Sequence, residues 1–112
     1  MKKYVFFALF LAIGLSAVSA QSLPEVTIVN NTGYMVWYLH ISPTDNNSWE
    51  EDKLGDAVLP SGQSFTVRLN QPLSAANRYD IKLIDSDGDS YTKWDVLIAP
   101  NARIVFTFDD ID

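Results

Sequence analysis

The segment that decides the fold is residues 78–99, which read RYDIKLIDSDGDSYTKWDVLIA. Asp87-Gly88 at its centre is a strong short-range signal for a β-hairpin, because both residues tolerate the backbone angles of a tight turn. A two-residue loop pairs Ser86 with Asp89. This register predicts three pairs on one apolar face: Tyr79 with Val96, Ile81 with Trp94, and Leu83 with Thr92. The opposite face receives Asp80, Lys82, Lys93 and Asp95.

Four further runs with the same alternation flank this hairpin, at residues 25–30, 34–41, 63–70 and 102–108. Apolar or β-branched side chains fall on every second position, and turn residues separate the runs, as is typical of strands. In the last run Ile104, Phe106 and Phe108 are predicted to face inward.

The run at residues 34–41 has one irregularity. The face formed by Met35, Trp37, Leu39 and Ile41 is the more apolar and is predicted to face inward. Val36 then lies on the outward face, which a β-bulge would explain, because an extra residue changes the alternation locally.

Residues 42–55 break the strand pattern. Ser48 and Glu51 fit a capping box, which predicts one helical turn from Trp49 to Leu54, ended by Gly55. Six strands and one helical turn, without strand–helix alternation, indicate an all-β domain. We predict a small antiparallel β-sandwich of about six strands, with a small barrel as the alternative.

The first twenty residues have the pattern of a secretory signal peptide. Lys2 and Lys3 precede an apolar run at residues 4–15, and small residues at 17–20 end the segment. We expect cleavage after Ala20, leaving one domain at residues 21–112 in the periplasm or outside the cell. The apolar run is shorter than the ~20 residues that span a bilayer, so no membrane anchor is expected after cleavage.

Composition narrows the classes of partner. The chain carries a formal charge of −6, and loss of Lys2 and Lys3 with the leader would make it −8. An acidic surface repels phosphate backbones, so nucleic acid is not expected as a partner. The chain has no cysteine, which excludes disulfides, thiolate metal sites and the lipid-modified cysteine of lipoproteins. The acidic end at residues 109–112 is predicted to fray.

A wider set of motifs resembles a family of small exported bacterial β-domains. The resemblance rests on Asn31-Thr32-Gly33-Tyr34, Ser42-Pro43, Trp49, Asp52, Leu54-Gly55, the segment at 59–64, Tyr79-Asp80-Ile81 and the acidic Asp-Gly hairpin. Members of this family usually have glycine directly after the tryptophan, where this chain has Glu50. The resemblance implies a β-domain without an assigned activity. Some members carry the name of argininosuccinate lyase, a long helical enzyme that a short β-rich chain does not match.

The acidic hairpin tip is the first candidate site. Asp85, Asp87 and Asp89 lie on alternate residues around a glycine, and calcium prefers several oxygen ligands. Further oxygens would have to come from Asp45, Asn46 or Asp56. The alternative interpretation is a solvated turn whose charges keep the tip soluble. No resident cofactor is predicted, with calcium as the one alternative.

Exposed tyrosines form the second candidate site. Tyr34, Tyr38 and Tyr91 fall on faces predicted to point outward, and exposed rings stack on sugars or anchor protein partners. Trp37 and Trp94 are instead predicted to be core residues. The alternative is that the tyrosines only cover the edge of the core.

His40 is the single histidine and the third candidate, as a general base in a small hydrolase. No Gly-x-Ser-x-Gly nucleophile motif accompanies it.

We rank three hypotheses for the function. A non-enzymatic cell-envelope module that binds a protein or another envelope component comes first, a calcium-dependent binding domain second, and a small hydrolase third.

Overall fold

The structure is a computed structural model, and it describes residues 23–112. The predicted signal peptide, residues 1–20, lies outside the described residues. The elements in chain order are β1 (Glu25–Asn31), β2 (Val36–Pro43), β3 (Ser64–Arg68), β4 (Arg78–Asp85), β5 (Ser90–Leu97), β6 (Ala102–Thr107) and a 3-10 helix (Phe108–Asp110). The predicted all-β class with six strands is confirmed. Over residues 23–112, no helix is long and apolar enough to cross a membrane.

The strands form two three-stranded sheets that share one core. The first sheet has the order β3-β1-β6, and the second has the order β2-β4-β5. Ile28 and Phe106 of the first sheet are fully buried in the same cluster as Leu39, Ile81 and Leu83 of the second. Two sheets closed over one apolar layer form a β-sandwich, as predicted.

One pairing in the first sheet differs from the predicted antiparallel arrangement. β1 pairs with β6 in parallel, with Ile28 opposite Ile104. The chain crosses from the second sheet to the first between β5 and β6, so no hairpin forces these neighbours to be antiparallel. Alternation along a strand shows which face is buried and contains no information about the neighbouring strand.

The hairpin of β4 and β5 has a three-residue loop in place of the predicted two-residue loop. The Asp85 amide donates to the Asp89 carbonyl at 2.9 Å, and the Gly88 amide donates to the Asp85 carbonyl at 3.0 Å. Gly88 has a φ of 88°, the left-handed conformation that such loops place at their last residue. Near the turn the register is therefore shifted by one residue, and Leu83 faces Tyr91 and not Thr92.

A β-bulge further along β5 restores the predicted register at the far end of the hairpin. Ile81 is opposite Lys93, whereas Tyr79 is opposite Val96, so β5 has one extra residue between these pairs. Because of the one-residue shift, Tyr91 is fully buried and Trp94 is 66% exposed. The predictions that Tyr91 faces outward and that Trp94 belongs to the core are both wrong.

The predicted bulge in β2 is confirmed. Val36 is opposite Asp85 and Tyr38 is opposite Ile84, which leaves Trp37 as the extra residue. Val36 and Leu39 are fully buried, and Trp37 between them is 45% exposed. The predicted inward orientation of Met35 and Trp37 is therefore wrong, while that of Leu39 and Ile41 is confirmed.

The predicted helical turn at residues 49–54 does not form. The segment is irregular and binds the edge of β2, where the Leu39 amide donates to Asp52 Oδ1 at 2.9 Å and the Lys53 amide donates to the Leu39 carbonyl at 2.7 Å. These bonds satisfy the open edge of β2, which a helical turn with its own internal bonds would leave unpaired. Leu54 at the end of this segment is buried in the core.

The helical turn is found instead at the C-terminal end. Thr107 and Asp110 form a capping box, in which the Asp109 amide donates to Thr107 Oγ1 and the Thr107 amide donates to Asp110 Oδ2. Phe106 is fully buried, as predicted, whereas Phe108 within the helix is 50% exposed. The inward orientation predicted for Phe108 is wrong, because the strand ends one residue before it.

Candidate ligand-binding face

The outward side of the second sheet carries a cluster of aromatic and basic side chains, which we call the tryptophan face. Its residues are Tyr38, His40, Trp49, Lys82 and Trp94. The rings of Trp49 and Trp94 lie 5.7 Å apart between centroids and are tilted by 41°. The Lys82 ammonium lies 4.8 Å from the centre of the Trp49 ring, within the range of a cation–π interaction.

Trp94 is held outward by the bulge in β5. Asp95, the next residue, has a φ of 54°, a left-handed conformation that aspartate tolerates better than most residues. Its amide donates to Asp80 Oδ1 at 2.8 Å. The same oxygen accepts a hydrogen bond from Thr44 Oγ1 at 3.2 Å. The Asp80 carboxylate thus fixes the bulge and, through it, the direction of the indole ring.

Trp49 is held by polar contacts of its neighbour Glu50. The Glu50 amide donates to Ser42 Oγ at 2.7 Å, and the Glu50 carbonyl lies 2.8 Å from His40 Nδ1. A carbonyl oxygen only accepts hydrogen bonds, so Nδ1 carries the proton in this contact. His40 and Ser42 point outward from β2, and together they hold the loop with Trp49 over the sheet.

A small pocket lies beside the paired tryptophans, and both indole rings line it. Its volume is about 150 Å³. One carboxylate, two side-chain amides and two hydroxyl groups line it beside the two indole rings: Asp80, Asn46, Asn47, Ser42 and Ser48 with Trp49 and Trp94. The pocket therefore combines flat apolar surfaces with a rim of hydrogen-bonding groups.

A larger depression of about 660 Å³ lies between the start of β1, the loop at residues 72–74 and the loop at residues 100–101. Its lining includes Leu23, the first described residue, together with Glu25 and Arg68. These two charged side chains pair with each other at 3.3 Å, and the depression contains no aromatic ring. We therefore place the candidate site in the smaller pocket.

The acidic hairpin tip is closed by hydrogen bonds to the Asp85 carboxylate. Asp85 is buried, and its Oδ1 accepts hydrogen bonds from the amides of Asp87 at 2.9 Å and Asp89 at 3.0 Å. Its Oδ2 accepts a hydrogen bond from the Tyr91 hydroxyl at 2.8 Å. Both oxygens of Asp85 are thus used in closing the loop. Across residues 23–112, no group of three or more acidic, histidine or cysteine side chains is arranged to hold a metal ion.

The three predicted partner-binding tyrosines occupy different environments. Tyr38 is 43% exposed and belongs to the tryptophan face, while Tyr34 is 44% exposed and contacts Phe108, with ring centroids 6.0 Å apart. Tyr91 is buried beneath the hairpin and so cannot contribute to an exposed surface. Burial, reinforced by the bond to Asp85, raises the pKa of Tyr91 to about 12.

Sequence reasoning missed the pairing of Trp49 with Trp94 and the role of Asp80. The sequence contained one signal for the outward position of Trp94. The three-residue alternative for the Asp87-Gly88 turn shifts β5 by one residue and moves Trp94 to the polar face beside Lys82. No comparable signal exists for Trp49, because the hydrogen bonds that hold its neighbour Glu50 over the sheet come from Ser42 and His40 on β2.

Comparison of this chain with protein-family models, curated proteins and solved structures gave no match. The resemblance to the family of small exported β-domains thus stays a prediction. The fold and the face together describe a small all-β sandwich with an aromatic, partly polar surface site.

Proposed function

We propose that the protein is an exported, non-enzymatic binding module that attaches to a component of the bacterial cell envelope through its tryptophan face. The leader pattern at residues 1–20 supports export to the periplasm or the medium. The acidic composition argues against nucleic acid as the ligand.

The exposure of Trp94 is the observation that carries this proposal. Its side chain is 66% exposed, whereas Tyr91 of the same strand is fully buried and Val96 packs against the core. Bulges are enriched beside functional sites, where they redirect a side chain. Clustered aromatic rings exposed to water mark interaction surfaces, because folding gains nothing from leaving them there.

The neighbouring side chains favour binding over catalysis. The His40 ring is tied through Nδ1 to the carbonyl of Glu50, and Ser42 accepts the amide of the same residue. Both side chains thus hold the loop that carries Trp49. The hydrolase hypothesis predicts turnover that is lost in His40→Ala, and hydrolase screening of this variant beside the unmodified protein tests it.

The test of the binding function is co-sedimentation of the purified protein with isolated envelopes of the producing bacterium. We expect saturable binding that Trp94→Ala weakens by about tenfold or more, the effect of removing an anchor residue. Leu97→Ala is the matched control, because Leu97 lies in the same strand and is 58% exposed. Equal binding by the two variants would exclude the tryptophan face as the attachment surface.

A further inference from the structure

We infer that the pocket lined by Trp49 and Trp94 binds one ring of a neutral saccharide. This inference rests on the proposed function and names the chemical class of its ligand. It depends on the shape, the polar lining and the charge of the pocket.

The indole rings match the apolar faces of a sugar ring. A pyranose ring presents faces of C–H groups that pack on flat aromatic surfaces, while its hydroxyl groups project from the rim. Trp94 offers a largely exposed ring at the mouth of the pocket, and Trp49 lies against it at 5.7 Å. Such rigid rings provide contact area at a low cost in side-chain entropy.

The polar lining of the pocket matches the hydroxyl groups of a sugar. Asn46, Asn47 and Ser48 are exposed in the loop above the sheet, and Asp80 lies on the sheet itself. Side-chain amides both donate and accept hydrogen bonds, and a carboxylate accepts them, so these groups pair with hydroxyls of either orientation. Asp80 Oδ1 and Asn46 Nδ2 already have partners within the described residues. Asp80 Oδ2, the Asn46 amide oxygen and the Asn47 amide are the groups that ligand hydroxyls would pair with, and a ligand without hydroxyl groups would leave these unpaired.

The size of the pocket favours a single ring of a longer chain. Pockets that enclose drug-sized ligands measure roughly 300–1,000 Å³, whereas this one measures about 150 Å³. Because Trp94 extends out of the pocket into solvent, the next sugar of the chain would lie over its ring.

Charge separates a neutral ligand from the two charged alternatives. The Asp80 carboxylate in the pocket and the net charge of −6 disfavour phosphate or carboxylate ligands. A cation would be attracted by the indole rings and by the Asp80 carboxylate, but the Lys82 ammonium already lies 4.8 Å from the Trp49 ring and would repel it. The hydrogen-bonding lining therefore favours the neutral ligand, and a tetramethylammonium probe tests the cationic alternative.

The test uses the signals of the three tryptophan indole N–H groups in the full processed protein. The probes are soluble hexasaccharides of glucose, mannose, galactose and N-acetylglucosamine, with a hexagalacturonate and tetramethylammonium as charged probes. We expect at least one neutral hexasaccharide to shift the Trp49 and Trp94 signals while leaving that of Trp37 in place. Calorimetry with the same sugar should show binding that is weakened about tenfold or more by Trp94→Ala.

Trp37→Ala is the matched control, because Trp37 is also an exposed residue in a bulge but does not line the pocket. Trp94→Phe should retain part of the affinity, which separates loss of ring contact from loss of fold. The inference is overturned if no neutral hexasaccharide shifts the two signals at millimolar concentration, if only a charged probe does, or if Trp37→Ala weakens binding equally. Envelope binding that still requires Trp94 would then leave the proposed function standing with a different ligand.

Discussion

Two buried tyrosines show how one hydroxyl group changes the role of a side chain. Tyr91 donates its hydroxyl to Asp85 at 2.8 Å. Tyr79 is equally buried, yet its hydroxyl has no hydrogen-bond partner among the described residues. Burial raises the pKa of both phenols, with the Asp85 carboxylate adding to the effect at Tyr91 and the Glu50 charge at Tyr79.

We predict that Tyr91→Phe lowers the free energy of unfolding at pH 7 by about 1–3 kcal/mol, because it leaves a buried carboxylate oxygen without its donor. Tyr79→Phe is the matched control and should be neutral or slightly stabilising, since its hydroxyl is unpaired. Urea denaturation of both variants measures the difference. Equal losses in the two would show that the bond to Asp85 contributes nothing.

The stability of the unmodified protein should also fall at alkaline pH. The pKa of Tyr91 is about 12 in the folded protein, against about 10 in an unfolded chain. The folded state therefore holds the proton more tightly, and its advantage is complete below pH 10 and is lost as the pH rises towards 12. Urea denaturation from pH 8 to 11.5 should show a smaller loss for Tyr91→Phe than for the unmodified protein. An unchanged pH profile in this variant would contradict the assignment.

Among the elements, the C-terminal segment is more firmly attached than its composition suggests. Asp112 Oδ2 accepts hydrogen bonds from Ser90 Oγ at 2.7 Å and Thr92 Oγ1 at 2.6 Å. The Lys93 ammonium pairs with Asp110 at 3.1 Å, and Ile111 bridges to Tyr91. The predicted fraying is wrong because these partners lie about twenty residues back in the chain, on the first half of β5.

We predict that Asp112→Ala lowers the free energy of unfolding by about 1 kcal/mol, the typical net value of partly exposed hydrogen bonds. Asp109→Ala is the control, since Asp109 is exposed on the 3-10 helix, and it should stay within about 0.5 kcal/mol of the unmodified protein. Hydrogen exchange at the Ser90–Tyr91 amides should accelerate only in Asp112→Ala. Acceleration in both variants would mean that charge and not these bonds holds the segment.

The elements also show where prediction from sequence succeeds. All six strands were identifiable, because a sandwich strand must alternate apolar and polar residues to cover one face of a core. The bulge at Trp37 was identifiable from the misplaced Val36. The bulge at Trp94 was not identifiable from the sequence. It depends on the contact between the Asp95 amide and Asp80. It also depends on the loop length at Gly88, which sets the register of the hairpin and so decides which side chains share a face.

For the whole molecule, thermal unfolding tests the calcium hypothesis. A ligand that binds only the folded state raises the melting temperature, and the shift grows with the logarithm of ligand concentration above the dissociation constant. Because both oxygens of Asp85 accept hydrogen bonds within the hairpin, we expect the same midpoint in millimolar calcium and in chelator. A clear upward shift in calcium that disappears in Asp87→Asn would establish a site at the tip.

The architecture was more predictable than the site. Fold class depends on a periodic pattern that many residues share, so single errors of orientation do not change it. The candidate site depends on a few side chains that meet only after folding, such as Trp49 from an irregular loop and Trp94 from a bulge. Neither position is marked by a local motif.

The parallel pairing of the first and last strands has a consequence for biogenesis. β1 is the central strand of its sheet, and it needs β6, some seventy residues later, to complete its hydrogen bonding. A nascent chain lacks this partner until β6 has left the ribosome, and pairing across such a separation is slow. This sheet therefore closes late in folding, whereas the sheet β2-β4-β5 needs neither of these two strands.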